Sequence, residues 1–253
     1  MTAAAPVLRV EELSKAFGAV RALDRVSLAV DTGQLMALIG PNGAGKSTCF
    51  NTINGQLRPD SGRVLLNGAD ITGLAPPDIW RRGVGRTFQI AATFGSMTVV
   101  ENVQMALLSR AGRLGALWRR AATLERAAAL AALDKVGMAP LAGQHCATLA
   151  YGDLKRVELA LALAAGPRLL LMDEPTAGMA PAERASLMAL TARIARAEGI
   201  AVLFTEHDID VVFGHADRVM VLHRGAVIAH GNPAEVRADP QVREVYLGEA
   251  APC

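Results

Sequence analysis

Aromatic residues and closely spaced cysteines are both scarce in this sequence of 253 residues. Aromatics make up only 4% of it, so its core must be built mostly of Ala, Leu and Val. The three cysteines, Cys49, Cys146 and Cys253, are far apart and show no C-x-x-C spacing. This pattern indicates neither a disulfide framework nor a zinc site, and it suits a reducing compartment.

The sequence also has no long apolar run and no excess charge of one sign. The most apolar stretch, residues 159–174, is interrupted at Gly166-Pro167-Arg168 before it could span a bilayer as a helix. The N-terminal segment MTAAAPVLRVEEL lacks the features of a secretory signal. The net charge of +2, from 26 basic and 24 acidic residues, is too balanced to indicate nucleic acid as the main partner.

Apolar runs and helical patterns alternate along the chain. Such alternation predicts an α/β fold with a mainly parallel sheet and helices on both faces. The expected strands are Leu35–Gly40, Leu169–Glu174, Ile200–His207 and a hairpin within Arg218–Gly231, and the expected helices are about Lys46–Gly55, Asp153–Ala165 and Pro181–Ala197.

Two regions depart from this alternation. Val7–Val30 and Gly62–Ile71 contain short β segments separated by turn residues, which predict a small antiparallel sheet. The segment from about Thr98 to Met138 is rich in Ala, Leu and Arg and predicts a helical insertion. We therefore expect one domain over residues 1–253, with a helical subdomain at about 90–165 and a C-terminal tail at about 231–253.

The strongest motif is GPNGAGKST, which matches the phosphate-binding pattern G-x-x-x-x-G-K-[ST] in full and lies between a predicted strand and a predicted helix. Glycines let the backbone curl so that successive N–H groups face a phosphate, and the helix N-terminus adds its positive dipole. Lys46 is expected to reach the β- and γ-phosphates, and Ser47 to ligate Mg²⁺. The expected nucleotide-binding residues of the loop are Gly40, Pro41, Asn42, Gly43, Ala44, Gly45, Lys46, Ser47 and Thr48.

Two carboxylates, Asp173 and Glu174, end the apolar run RLLLMDE. Ligands of open α/β sheets bind at the carboxyl ends of the strands, so both side chains are expected beside the phosphate loop. Asp173 is predicted to hold Mg²⁺, and Glu174 to act as general base toward an attacking water. The alternative is a solvent-facing acidic pair at a strand end.

Taken together, its motifs make the chain resemble the ATP-binding subunit of an ABC transporter over about Val7 to Gly248. More narrowly, it resembles the ATPase of branched-chain amino acid uptake systems. The narrower likeness rests on GRTFQ, LAYG, DEPTAGM, TEHDIDVV and the tail GNPAEVRADPQVREVYLGE. The resemblance implies a P-loop NTPase core with ATP and Mg²⁺ as cofactors.

The resemblance also implies roles for three residues outside the phosphate loop. Phe17 matches the aromatic that stacks on adenine, although without the resemblance it would be interpreted as a core phenylalanine after a strand. Gln89 in RTFQ matches the glutamine that reaches Mg²⁺ and the attacking water. His207 matches the switch histidine at the γ-phosphate. Ala180 replaces the acidic residue usual in the loop that crosses between protomers.

The stretch LAYGD corresponds to the family signature, which is close to Leu-Ser-Gly-Gly-Gln and binds the γ-phosphate held by the other protomer. Ala150 lacks the serine hydroxyl, and Asp153 replaces the glutamine. Losing one hydrogen bond to a charged group typically costs ~1.5–3 kcal/mol, so weaker closure of the dimer is expected. The aligned residues are Leu149, Ala150, Tyr151, Gly152 and Asp153.

A signature that acts in trans implies a second ABC ATPase subunit, either a second copy or a related chain. The resemblance further implies membrane permease subunits docked on the helical insertion and a periplasmic solute-binding protein that acts indirectly. The expected location is the cytoplasmic, inner face of the plasma membrane. The basic segment Arg110–Arg126 and the two tryptophans, Trp80 and Trp118, could contribute to docking, or be a solvated helix face and partial core.

Three interpretations of the function remain open at this point. The first is the ATPase of an importer for branched-chain amino acids or related small solutes. The second is an ABC ATPase of an export or lipid-transport system. The third is a P-loop kinase for a small molecule, which leaves LAYGD, Gln89 and His207 without roles.

Overall fold

A computed structural model describes residues 5–87, 93–110, 125–164 and 166–247. They form two β-sheets, with helices packed on the larger one. Among these residues, no helix is both long enough and apolar enough to cross a membrane.

The larger sheet has six strands in the order β10-β9-β3-β8-β7-β6. All neighbours are parallel except the hairpin of β9 and β10. Continuous apolar runs form the central strands because both faces of a parallel sheet are covered. The strands are β3 Leu35–Ile39, β6 Val84–Thr87, β7 Leu169–Asp173, β8 Ala201–Thr205, β9 Arg218–His223 and β10 Ala226–Gly231.

The smaller sheet is antiparallel, with the order β2-β1-β4-β5. Its strands are β1 Leu8–Phe17, β2 Val20–Val30, β4 Ser61–Leu66 and β5 Ala69–Asp70. Strand β1 pairs with β2 and β4, with register shifts along both pairings. This sheet confirms the expected antiparallel region.

The α-helices join or cover these strands. Their bounds are α1 Lys46–Ile53, α2 Pro76–Arg81, α3 Val99–Arg110, α4 Arg126–Lys135, α5 Tyr151–Ala164, α6 Pro181–Glu198, α7 Ile209–His215, α8 Pro233–Ala238 and α9 Pro240–Val242, followed by a π-helical turn at Arg243–Leu247. Helix α6 begins at a proline and ends at Gly199, which has φ 67°. These are the termini that proline and glycine favour.

Two hydrophobic cores lie on opposite faces of the six-stranded sheet. Within β3, Leu35, Ala37 and Ile39 face one core, while Met36 and Leu38 face the other. The first core contains α3 to α6, and the second packs the sheet against α1 and the antiparallel sheet. The alternation follows from the two-residue period of a strand.

The fold agrees with the α/β architecture predicted from the sequence, with one more strand in the larger sheet. Strand β6 was not predicted, because only four residues, Val84–Thr87, form it and two of them are polar or charged. Helices α3 and α4 occupy parts of the predicted helical insertion, whose residues 111–124 lie outside the described ranges. The boundaries of a helical subdomain stay a prediction.

Candidate functional site

The phosphate loop, residues 40–48, connects β3 to α1. Gly40, Gly43 and Gly45 have φ angles of 148°, 79° and 109°. A Cβ on Gly40 would lie 2.1 Å from the carbonyl oxygen of Leu222, and one on Gly45 would lie 2.4 Å from that of Ala22. Glycine is therefore required at both positions, since other residues would clash and adopt a strained backbone. The loop borders a cleft of about 370 Å³.

Lys46 is buried at the start of α1 and is bound to its own loop. Its Nζ donates hydrogen bonds to the carbonyl oxygens of Gly40, at 2.6 Å, and Pro41, at 3.0 Å. Burial lowers the pKa of Lys46, and the negative charges of Glu174 and Asp173 partly offset that effect. The lysine is thus placed between the loop and the two carboxylates, where a phosphate would be neutralised.

Asp173 is the last residue of β7, and its carboxylate is oriented by two neighbours. Its Oδ1 accepts a hydrogen bond of 2.7 Å from Thr205 Oγ1, and its Oδ2 lies 3.4 Å from Nη2 of Arg86. Arg86 also donates to Asn51 Oδ1 and Gln56 Oε1, both at 3.1 Å. These contacts fix the carboxylate at the carboxyl end of the strand.

Glu174 follows directly in a left-handed conformation, with φ 47°. Its backbone N–H is shared by the side-chain and carbonyl oxygens of Thr205, at 3.1 and 3.2 Å. Its Oε1 lies 2.9 Å from Nε2 of His207, and both side chains border the phosphate-loop cleft. The predicted general base and a second polar group therefore meet beside the expected γ-phosphate position.

The donor set at this edge fits Mg²⁺ bound to a nucleotide. Ser47 borders the cleft, and the negative charge of Asp173 acts on the neighbouring Lys46. Among the residues described, no group of three or more His, Cys, Asp or Glu side chains could hold a metal ion. One carboxylate and one hydroxyl suffice in phosphoryl-transfer sites, where phosphates and water complete the coordination of Mg²⁺.

The signature stretch, residues 149–153, lies apart from the phosphate-loop cleft of its own chain. Helix α5 begins at Tyr151, whose hydroxyl donates a 3.1 Å hydrogen bond to the carbonyl oxygen of Ala177. A Cβ on Gly152 would lie 2.9 Å from Oε1 of Glu183. The signature is thus packed against the loop and helix that follow Glu174, and none of its residues lines the phosphate-loop cleft.

Comparison with known proteins identifies the family. The family model described as "ABC transporter" matches residues 23–177, more than half of the chain. The chain belongs to the ABC transporter ATP-binding family. A second model, "Branched-chain amino acid ATP-binding cassette transporter", matches residues 226–252. An ABC ATPase couples nucleotide hydrolysis to transport, and in this chain the phosphate loop, Asp173 and Glu174 lie near one another at one edge of the sheet.

Curated relatives of this ABC ATPase extend over nearly all of it. The high-affinity branched-chain amino acid transport ATP-binding protein BraF of Pseudomonas aeruginosa is 39% identical over 252 residues, covering 97% of this chain and 99% of the relative. The corresponding protein LivG of Escherichia coli K12 is 38% identical over 254 residues, covering 97% and 99%.

Solved structures give the same result for the fold. The ADP conformation of an ATP-binding cassette of an ABC transporter matches with a TM-score of 0.85 and 34% identity, covering 96% of this chain and 99% of the other. A nucleotide-free ATP-binding cassette also matches with a TM-score of 0.85 and 34% identity, covering 96% and 100%.

The remaining predicted site residues of the ABC ATPase are Phe17 and Gln89. Phe17 is 49% exposed, so its interpretation as a core residue was wrong. It ends β1 opposite Val20, which borders the cleft, and Lys15 Nζ lies 5.7 Å from its ring centroid. The ring is open for stacking, and its contact with adenine stays a prediction. Gln89 lies outside the described residues.

Three residues that organise the site were not predicted. Arg86 precedes the glutamine motif as part of GRTFQ, and Thr205 and Glu206 precede His207 in TEHD. Each is a polar or charged residue beside a motif residue, which is the signal that could have found it. Their partners come from distant parts of the chain, so their roles depend on the fold.

Proposed function

We propose that this chain is the ATP-binding and hydrolysing subunit of an ABC importer for branched-chain amino acids or related small solutes. ATP closes a dimer of ATPase subunits, and hydrolysis reopens it. The contact between Glu174 and His207 beside the phosphate loop carries the proposal of hydrolysis. The match of residues 226–252 and the names of the relatives support the class of solute.

The chain's own groups would perform the reaction in steps. The N–H groups of the phosphate loop and the N-terminus of α1 bind the phosphates, and Lys46 exchanges its two carbonyl contacts for phosphate oxygens. Ser47 and Asp173, with Gln89, would hold Mg²⁺, which neutralises charge on the phosphates. Glu174 accepts a proton from the attacking water, and His207 orients Glu174 and the γ-phosphate.

The position of the signature outside the phosphate-loop cleft supports the proposal of a second ATPase subunit. In a head-to-tail pair, the N-terminus of α5 in one subunit would face the nucleotide bound to the other. The chain carries one phosphate loop and one signature, so two subunits complete two sites. Either a second copy or a related ATPase can supply the missing half.

Permease subunits would dock on a groove of about 600 Å³ between α2, β6, α3 and α5. Its apolar walls include Trp80, Phe94, Met105 and Ala106. Trp80 is half-buried there, so it is both part of the packing and open to a partner. Docking at this groove would place the subunit on the cytoplasmic face of the membrane, with a periplasmic solute-binding protein acting through the permease.

The test is reconstitution of the purified complex with its permease and solute-binding protein in vesicles. We expect ATP-dependent uptake of labelled leucine, with free phosphate as the product. Phosphate transferred to a small acceptor would instead support a kinase, and outward movement of lipid would support an exporter. If the vesicles took up another small solute but no leucine, the proposed class of solute would be overturned and the role as an importer ATPase would stand.

A matched pair of variants tests the docking groove. Ala106→Arg places a long cation in the wall of the groove and should prevent co-purification with the permease while nucleotide binding persists. Ala197→Arg makes the same change on an exposed face of α6 and should leave the complex intact. Normal co-purification of the Ala106→Arg protein would overturn this docking site.

A further inference from the structure

Glu206 is a buried carboxylate between the loops that carry the candidate catalytic residues, and the steps above give it no role. It is only 3% exposed. Its Oε1 accepts hydrogen bonds from the N–H and the hydroxyl of Thr176, at 2.9 and 2.7 Å. Its Oε2 accepts a 3.3 Å bond from the N–H of His207. Both oxygens therefore accept from backbone amides on different loops.

Beyond the ends of their strands, the described hydrogen bonds that join the two loops are the contact between Glu174 and His207 and the bonds made by Thr205 and Glu206. The parallel pairing of β7 with β8 ends at Asp173 and Thr205. Past that point, Thr205 still holds the N–H of Glu174, while Glu206 spans from Thr176 to His207. The carboxylate thus continues the connection between the strands after the regular ladder has ended.

The turn after Glu174 needs such support because its backbone is strained. Glu174 has φ 47°, a conformation that is costly for a residue with a Cβ and persists where its surroundings hold it. The N–H of Ala177 donates to the carbonyl oxygen of Glu174 at 3.1 Å, and that of Met179 donates to Thr176 at 3.1 Å. Thr176 is therefore the central anchor of this turn.

We propose that Glu206 is a positioning residue for ATP hydrolysis, which clamps Thr176 to the amide of His207 and so holds Glu174 and His207 in contact. The inference rests on the proposed roles of those two residues. A buried carboxylate is costly unless donors surround it, and bonds to a charged acceptor are stronger and more exact in geometry than neutral ones. If residue 206 served only to pack the loops together, an apolar side chain would suffice and would avoid the cost of burying a carboxylate.

Tyr246, in the π-helical turn Arg243–Leu247, is affected by the charge of Glu206. Tyr246 packs against the same core as Val211 and Val212 of α7. Burial raises the pKa of Tyr246, and the negative charge of Glu206 raises it further. Tyr246, which belongs to the segment that matches the branched-chain transporter family, is thus close enough to Glu206 for the charge of the carboxylate to act on it.

The principal test is Glu206→Gln in the full-length protein. The glutamine amide has the same shape as the carboxylate, but its N–H₂ group cannot accept a hydrogen bond. It therefore loses the bonds either to Thr176 or to the N–H of His207, and one of the two loops is released. We expect kcat to fall about 10- to 100-fold with the KM for ATP within about threefold, since the phosphate loop is unaffected. In a His207→Ala background the same change should cost less than about threefold, because both substitutions act on one contact.

Amide hydrogen exchange measures the clamp directly and without a partner subunit. Exchange at Thr176 and His207 should accelerate at least about tenfold in Glu206→Gln. The matched control is Asp217→Asn, which removes a carboxylate that accepts from Leu35 N–H at 2.8 Å at the opposite end of the sheet. That variant should leave kcat and both amides unchanged.

Two sets of results would separate the proposals. Unchanged exchange or unchanged kcat in Glu206→Gln would overturn the positioning role, as would an equal loss in Asp217→Asn. A wild-type protein that hydrolyses no ATP in its complex would overturn the proposed function itself.

Discussion

His207 Nε2 lies 2.9 Å from Glu174 Oε1, although the two residues are 33 positions apart in the chain. Each follows one of two adjacent parallel strands, β7 and β8, whose last paired residues are Asp173 and Thr205. Parallel strands bring their carboxyl ends to one edge, so both side chains meet at the cleft of the phosphate loop.

Replacement of Glu174 by Gln should abolish steady-state hydrolysis while ATP binding persists. The amide cannot accept a proton from water, and loss of a general base typically costs about 10²- to 10⁴-fold in rate. Phosphate release and nucleotide affinity should be measured together. Glu198→Gln, a change in an exposed carboxylate at the far end of α6, is the control and should retain full activity. Normal hydrolysis by the Glu174→Gln protein would exclude Glu174 as the base.

Restoration of the signature by Ala150→Ser and Asp153→Gln should strengthen ATP-dependent closure of the ATPase dimer. A hydroxyl regains a hydrogen bond to phosphate, and removal of the carboxylate relieves repulsion; one such bond corresponds to about tenfold or more in affinity. Sedimentation with ATP in the Glu174→Gln background measures the dimer. Ala147→Ser, an exposed position just before the signature, should have no effect. Unchanged dimerisation and ATPase rate would contradict the expected weak closure.

Ala180→Asp should stabilise the folded chain. Ala180 is the N-cap of α6, with φ −67° and ψ 151°, and offers no side-chain acceptor to the first N–H groups of the helix. A capping carboxylate contributes ~1 kcal/mol relative to Ala. Urea unfolding should show this gain, whereas Ala185→Asp, inside the same helix, should show none. An unchanged or lower free energy of unfolding for Ala180→Asp would contradict the assignment of residue 180 as an N-cap position that lacks a side-chain acceptor.

Cys49 should be unreactive in the folded protein. It is fully buried on α1, and burial raises the pKa of its thiol from 9.0 to about 12. In a Cys253→Ser variant, a disulfide reagent at pH 8 should label Cys49 only after unfolding; rapid labelling of Cys49 without denaturant would contradict its burial.

The same shift predicts a pH dependence of stability. The unfolded chain ionises Cys49 from about pH 9, whereas the folded chain keeps its proton until about pH 12. Unfolding therefore releases a proton in this window, and the contribution to the free energy of unfolding falls as the pH rises through it. Cys49→Ala should reduce that fall in urea titrations between pH 8 and pH 10. An identical pH dependence in both proteins would contradict the raised pKa.

Much of the site could be predicted from sequence because its elements are local. The phosphate loop is one continuous segment with glycines at 40, 43 and 45, where the backbone needs them. Asp173 and His207 follow apolar runs whose ends were visible in the sequence. The antiparallel sheet and the helices α1, α5 and α6 were likewise indicated by residue patterns.

Other features depended on contacts between distant segments. The sequence gives Phe17 as an apolar residue after a strand, yet its ring is half exposed because β1 ends at the rim of the cleft. Arg86 reaches Asp173 only because β6 pairs with β7. This pairing could not be predicted from the four residues of β6, which have no continuous apolar pattern.

The sequence by itself predicted the chemical groups of the candidate site: a loop for phosphate, a candidate carboxylate for Mg²⁺ and a candidate base. The tertiary structure decided how these groups are held. Strand order placed Thr205 and Glu206 against the residues that follow β7, and packing buried the carboxylate that joins Thr176 to His207. Local patterns record which groups are present, whereas hydrogen bonds between neighbouring strands and loops fix the distances at which those groups can act.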